Sequence, residues 1–316
     1  MSELGTVLNA VVPVFLIVGG GFVMRRLDWL NAAADASLLR LTINVLIPCL
    51  IFDSLLGNQA LTHAGNVILP PLVGFLTVGL GIAVARGCSR WIPDAGGGSR
   101  RTFAFCTAMY NYGYIPIPLA MGLFDRETVG VLFVHNLGVE VALWVFGLML
   151  LAGAGLRTSG RRLLNAPLLT IASTLLLNLI LPRDQFPTAV LNAAHLVGQC
   201  AIPVGMILIG ATVADHVAGF HSAGGARTMA LGSLLRLAVL PVLFLLVARW
   251  LPCSVELKRV ILIQAAMPAA VFPIVMVRHY GGDPATALQV VMSTSILSLV
   301  TIPLWLHFGV RLAGLQ

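Results

Sequence analysis

The residues best placed to do chemistry in this chain lie inside apolar runs. One is the stretch Phe105-Cys106-Thr107-Ala108-Met109-Tyr110-Asn111-Tyr112-Gly113-Tyr114-Ile115-Pro116-Ile117-Pro118-Leu119. Proline offers no backbone N–H and its ring clashes with the carbonyl four residues back, and Gly113 weakens a helix further. A freed amide or carbonyl in hydrocarbon costs several kcal/mol unless protein or a wet cavity receives it. The stretch therefore predicts a broken helix and a polar pocket at membrane depth, with Asn111, Tyr112, Gly113, Ile115 and Pro116 as its contacts. A second stretch, Gln264-Ala265-Ala266-Met267-Pro268-Ala269-Ala270-Val271-Phe272-Pro273, repeats the device and adds Gln264, Pro268 and Ala269. Half-helix N-termini carry free N–H groups and partial positive charge, which suits an anionic ligand.

Ionisable residues at the same depth are costly and need a partner or a role. Glu140 has Asn136 one turn earlier on its own face. His135 points elsewhere, because five positions amount to about 140° around a helix. Glu140 is read either as a proton or sodium coupling site or as a carboxylate paired with a buried arginine for structure. Arg236, within another apolar run, is its expected partner or an anion-binding group. Arg278 and His279 read as positive anchors at a helix end, with Arg278 an alternative anion gate. Asp53 reads as a solvated helix terminus, and His195 as a hydrogen-bonded helix contact. No His-Glu-x-x-His, Gly-x-Ser-x-Gly or Walker-type phosphate loop occurs, so the chain is not expected to be an enzyme. No cofactor or metal is expected either.

The elements that would position these residues follow from hydropathy. Of 316 residues 58% are hydrophobic and 10% charged, and a soluble fold of this size could not hide that much apolar surface from water. About 20 apolar residues span a bilayer core, and ten such runs occur: 4–24, 36–57, 66–85, 102–123, 128–152, 163–181, 189–211, 228–248, 259–280 and 285–308. The reading is an all-α polytopic membrane protein of ten transmembrane helices. The net charge of +7 resides in short runs such as Arg25-Arg26, Arg100-Arg101 and Arg161-Arg162, so nucleic acid is not an expected partner. Basic residues fall mainly in alternate loops, which puts those loops in the cytoplasm and both termini outside an inner (cytoplasmic) membrane. No basic residue precedes the first apolar run, unlike a secretory signal. The five cysteines are odd in number and scattered, and read as small packing residues.

The two halves also resemble each other. Val45-Leu46-Ile47-Pro48 matches Cys200-Ala201-Ile202-Pro203, and Ala108-Met109 followed by Pro116 matches Ala266-Met267 followed by Pro273. Five helices is an odd number, so a second copy enters the membrane from the opposite side. This predicts two inverted five-helix repeats, residues 1–158 and 159–316, with helices 4 and 9 broken and crossing.

Ten helices with an Asn-x-Gly-x-x-Pro break at Asn111–Pro116 and a proline break in helix 9 resemble the auxin efflux carrier family. That family includes the plant PIN-type carriers and bacterial carriers of malonate or malate. The resemblance covers essentially the whole chain and is most specific from Asn111 to Leu119. It implies a substrate site at the crossing and an elevator-like transport domain (helices 3–5 and 8–10) moving against a scaffold (helices 1, 2, 6 and 7). It also makes a homodimer plausible. Plant members carry a polar Asn at both breaks, whereas this chain has only Asn111, so auxin is a poor fit. The expected function is secondary transport of a small organic anion, a mono- or dicarboxylate, with a proton or sodium ion as the coupling ion. A passive channel and a non-transporting solute sensor are the alternatives.

Overall fold

The computed structural model of the protein describes residues 3–94, 97–152, 165–222 and 225–315. The Arg161-Arg162 pair and the 158/159 repeat boundary lie outside the described residues. In chain order the helices are α1 (Glu3–Arg26), α2 (Ala32–Leu55), α3 (Gly65–Cys88), α4 (Ser99–Ala108), α5 (Pro116–Leu123) and α6 (Arg126–Leu151). They continue as α7 (Ala166–Ile180), α8 (Thr188–Gln199), α9 (Ala201–Ser222), α10 (Ala226–Trp250), α11 (Val255–Ala266), α12 (Phe272–Tyr280) and α13 (Pro284–Leu312). Among the described residues the fold is all-helical, apart from one antiparallel bridge between Tyr110 and Ala269.

Among the described residues seven helical stretches are long and apolar enough to cross a membrane: Gly5–Arg26, Ala32–Leu55, Gly65–Trp91, Arg126–Leu151, Thr188–Val217, Ala226–Trp250 and Pro284–Leu312. The other three apolar runs take different forms. Residues 102–123 fall on α4 and α5, which are separated by Met109–Ile115, and 259–280 fall on α11 and α12, separated by Met267–Val271. Residues 163–181 contain the 15-residue α7.

Local chemistry sets where the helices begin. Asn31, Asp125, Asn165, Ser254 and Asp283 each accept a backbone N–H of the first turn through a side-chain oxygen, satisfying donors that a helix start leaves orphaned. Burial raises the Asp125 carboxyl, yet bonds from Thr128 and Arg259 outweigh it and hold the group below the usual carboxylate range. Two helices also contain a π-helical turn, Thr42–Leu46 in α2 and Leu235–Val239 in α10, each just ahead of a proline. In α10, Pro241 offers no N–H, and the Leu237 carbonyl four residues earlier accepts from Trp305 Nε1 at 2.7 Å instead.

Glycines set how closely the helices approach. A Cβ on Gly138 of α6 would sit 1.7 Å from the Pro71 carbonyl oxygen of α3, and one on Gly210 of α9 would sit 1.9 Å from that of Val18 in α1. The pairs α3–α6 and α1–α9 are thus in backbone contact, the small-residue packing typical of helices in lipid.

One expectation about the helix ends is corrected. Asp53 is not a solvated terminus: its carboxylate pairs with Arg183 at 3.2 Å and with His195 Nδ1 at 2.8 Å. The α2 carbonyls beside it explain the crowding, since Leu56 O accepts from both Arg126 and Arg183 at 2.8 Å. A helix C-terminus collects cations for its orphaned carbonyls, and Asp53 shares them. His195 is a hydrogen-bonded helix contact, as its position in α8 predicts.

Candidate functional site

The two helix breaks meet. Asn111 N donates to Pro268 O at 2.9 Å, and Ala270 N donates to Met109 O at 2.8 Å. Two antiparallel strips of extended backbone thereby satisfy groups that the prolines removed from the helical ladder. The interruption is tolerated because each break supplies the partner that the other lacks.

Side chains complete the accounting. The Tyr112 carbonyl accepts from Asn136 Nδ2 at 2.7 Å and Gln264 Nε2 at 3.3 Å, and Gln264 Nε2 also donates to Asn136 Oδ1 at 3.0 Å. Thr294 Oγ1 of α13 accepts from Ala269 N at 3.2 Å. On the far side of the crossing Tyr110 Oη lies 3.1 Å from Thr77 Oγ1.

Arg236 has the most unusual surroundings. It is fully buried in the π-helical turn of α10. Its Nε donates to Met267 O at 2.9 Å and its Nη2 to Gln264 O and Ala265 O at 3.2 and 3.0 Å. The guanidinium carbon lies 5.1 Å from the Tyr110 ring centre and 5.3 Å from that of Phe244, a favourable arrangement for a cation. The expected Arg236–Glu140 pair does not form. A half-helix ending in mid-core leaves its last carbonyls short of donors, and a fork of fixed donors on a wider π turn reaches three of them, of which Gln264 O also accepts from Met267 N at 3.3 Å. Among the described residues no carboxylate pairs with Arg236, so its charge stands uncompensated beside the crossing.

Glu140 sits elsewhere, on Tyr112. Its Oε2 accepts from Tyr112 Oη at 2.5 Å, and its Oε1 accepts from Trp144 Nε1 at 2.9 Å and Asn165 Nδ2 at 3.1 Å. Asn136 and Glu140, one turn apart on α6, therefore hold the two ends of one tyrosine. Asn136 is bound to the break's backbone and does not touch the carboxylate with which its spacing groups it. The i, i+4 placement of Trp144 after Glu140 was a readable signal. Nothing local in the sequence brings Asn165 of α7 to the same oxygen, and nothing identifies Thr294.

The expected contacts thus divide. Gln264, Pro268 and Ala269 are buried, with Gln264 Nε2, the Pro268 carbonyl and the Ala269 amide engaged while Gln264 Oε1 has no partner among the described residues, and Ile115 and Pro116 are buried as well. The Ala269 amide, an expected ligand donor, is already bound to Thr294. Tyr112, Gly113 and Tyr114 remain half-buried. The Asn111 carboxamide has one long bond among the described residues, 3.4 Å from Gly113 N. Arg278 is exposed at the end of α12, about 10 Å along the helix from the break at 1.5 Å per residue.

A Cβ on Gly113 would meet nothing within 4 Å, so open space adjoins the break at that point. Gly113→Ala should leave the thermal stability of the protein unchanged but put a methyl group where a solute would lie. Crowding a packed contact costs about 1–3 kcal/mol, so ligand affinity, read by titration calorimetry, should fall about 10- to 100-fold. Equal affinity in the variant would remove this space from the site.

The chain matches the family described as Membrane transport protein over residues 6–159 and 157–306. A protein of Methanothermobacter thermautotrophicus named only as an uncharacterized transporter is 28% identical over 317 residues, covering 96% of this chain and 98% of that protein. With two interrupted helices joined backbone to backbone in an apolar core, and the family matched along nearly its whole length, the chain belongs to the membrane transport protein family, that of the auxin efflux carriers.

Proposed function

We propose that the protein is a secondary carrier of a small organic anion, a mono- or dicarboxylate, across the cytoplasmic membrane. The observation that carries this reading is the charge of Arg236 beside the paired breaks, which no carboxylate among the described residues compensates. A unit charge acting across about 8 Å at an effective dielectric of about 20 is worth about 2 kcal/mol, which favours an anion at the crossing and disfavours a cation. Asn111 is the solute's side-chain partner, and Gly113 provides the room.

In this reading α4–α5 and α11–α12 each make one crossing, as does the short α7, which with the seven long stretches gives ten. The ten form two inverted repeats, 1–158 and 159–316, with both termini outside. The tightly packed pair α3–α6 belongs to a transport body with α4, α5 and α10–α13. The pair α1–α9 belongs to a scaffold with α2, α7 and α8, and the first body moves against the second as an elevator. A homodimer would hold the scaffolds still. The coupling ion is a proton or a sodium ion, with Glu140 as its site.

The test is counterflow in proteoliposomes loaded with unlabelled lactate or malate. A carrier accumulates external labelled solute transiently, an open channel does not, and a sensor shows binding without flux. Losing a hydrogen bond to a charged ligand costs about 1.5–3 kcal/mol, so Asn111→Ala should weaken solute affinity about 10- to 100-fold. Unaltered uptake by that variant would exclude Asn111 from the site. Absence of counterflow for every small carboxylate would overturn the carrier reading itself.

A further inference from the structure

The Glu140 cluster has a directionality that its composition alone does not reveal. Of the three donors on the carboxylate, two cannot reverse. Indole N–H is a donor only. The Asn165 carboxamide is held in one orientation because its Oδ1 accepts from Leu168 N at 2.9 Å as the N-cap of α7, leaving Nδ2 to face Glu140 Oε1. Oε1 is therefore saturated by fixed N–H groups. Among the described residues Oε2 is bonded by the Tyr112 hydroxyl alone, which can either donate or accept.

We propose that Glu140 and Tyr112 form a proton-operated donor switch, and that Asn165 is the positioning residue that sets its direction. This rests on the anion-carrier reading. A proton taken from water binds Oε2, the one oxygen whose partner can change role. The new O–H donates to Tyr112 Oη, so the hydrogen bond reverses while Trp144 and Asn165 stay on Oε1. The Tyr112 hydroxyl keeps its own hydrogen and turns about the C–O bond to aim it at a new acceptor. That acceptor is a carboxylate oxygen of the solute, next to Asn111 and the open space at Gly113. Tyr112, Glu140, Trp144 and Asn165 are each only half-buried, and in this proposal the solute approaches them from the open space at Gly113. One negative charge is neutralised as another arrives, and the site's net charge is conserved through the cycle.

The groups that face Glu140 come from every helix packed against it. Tyr112 faces it directly, with Tyr110 and Tyr114 near Tyr112. The neighbouring helices meet this part of α6 with Gly74 and Pro71 from α3, Gln264 from α11 and Phe272 from α12, the last against Trp144. His135 turns its backbone to Gly74, Arg278 is at the opposite end of α12, and Asn165 is the contribution of α7. Among the described residues no ion pair engages Glu140.

The experiment is calorimetric titration of the full-length protein in detergent with lactate and malate, at constant sodium. It spans pH 6.5–8.5 and uses buffers of different ionisation enthalpy. Binding to the wild type should take up about one proton per anion, and affinity should fall with rising pH by up to tenfold per pH unit. Glu140→Gln keeps Oε1 for Trp144 and Asn165 and presents an N–H to Tyr112, so it mimics the protonated form. Its binding should be flat with pH, without proton uptake, at the low-pH affinity of the wild type. Adding Tyr112→Phe to Glu140→Gln should weaken binding about tenfold, which simple charge neutralisation would not do. Should Glu140→Gln fail to fold, Tyr112→Phe alone should lose about tenfold of the low-pH affinity gain. Undiminished proton uptake in Glu140→Gln, or no effect of Tyr112→Phe in either background, overturns the switch but leaves the carrier. Failure of the wild type to bind any carboxylate overturns the carrier reading as well.

Discussion

Replacing Arg236 with methionine is expected to collapse the crossing. The side chain is fully buried and donates to the carbonyls of Gln264, Ala265 and Met267. Methionine fills a similar volume but removes the donor from all three oxygens in a region where water cannot substitute; Gln264 O keeps its bond from Met267 N at 3.3 Å, while Ala265 O and Met267 O lose the Arg236 fork. An orphaned buried polar group costs about 1–3 kcal/mol, and two of them are a large part of the stability of a typical domain, about 5–15 kcal/mol. Backbone relaxation would recover part of this, so a loss of at least about 2 kcal/mol is expected. It should appear as a large fall in the thermal midpoint in detergent and as aggregation on size exclusion. Arg236→Lys should be intermediate, because an ammonium keeps the charge but cannot span three carbonyls as a rigid fork does. An Arg236→Met protein with wild-type midpoint and uptake would show that the cap contributes little and that the charge is not what draws the anion.

The second large effect concerns the run Gly19-Gly20-Gly21 in α1. A Cβ on Gly21 would lie 2.2 Å from the carbonyl oxygen of Ile207 in α9, and 2.7 Å from its Cα. These are backbone atoms and cannot rotate aside, so Gly21→Ala must push α1 and α9 apart. Overpacking costs about 1–3 kcal/mol, and the upper end is expected where no side chain can yield. On Gly20 the added Cβ would meet nothing within 4 Å. Gly20→Ala should therefore leave stability unchanged or raise it by up to about 1 kcal/mol through helix propensity. Thermal unfolding of the two single variants decides the matter. Equal midpoints would mean that the α1–α9 pair is not in backbone contact.

These two predictions separate what local sequence encodes from what it does not. Both breaks were legible, because proline and glycine act through covalent geometry and a missing N–H, which no tertiary context restores. The membrane class was legible for a similar reason: apolar surface in this proportion needs lipid. The start of most helices was legible to within a few residues, since caps such as Asp125 and Asp283 act on their own first turn. The seven long helices fall on seven of the ten apolar runs. The interrupted ones are visible in the sequence only as runs of sufficient hydropathy that prolines break.

Partner choice was not legible. Arg236 and Glu140 are opposite charges at similar depth, and sequence alone pairs them. The structure sends Arg236 to the carbonyls of α11 and Glu140 to Tyr112. The reason is that a broken helix end gathers several fixed acceptors in one place, a sink for a cation that no residue type announces. Likewise Asn165 and Thr294 reach the site from α7 and α13, at distances along the chain that no periodicity encodes. By itself, then, the sequence determined the solvent, the helical class and the two points where helices must fail, all consequences of bonding within a few residues. Only the tertiary structure decided which backbone groups pair where the two breaks cross, which amides are already spent, which glycine of a triplet touches its neighbour, and that a tyrosine joins the break to a carboxylate. Each of those depends on which backbone groups from distant segments arrive within 3 Å, and that is fixed by packing rather than by local chemistry.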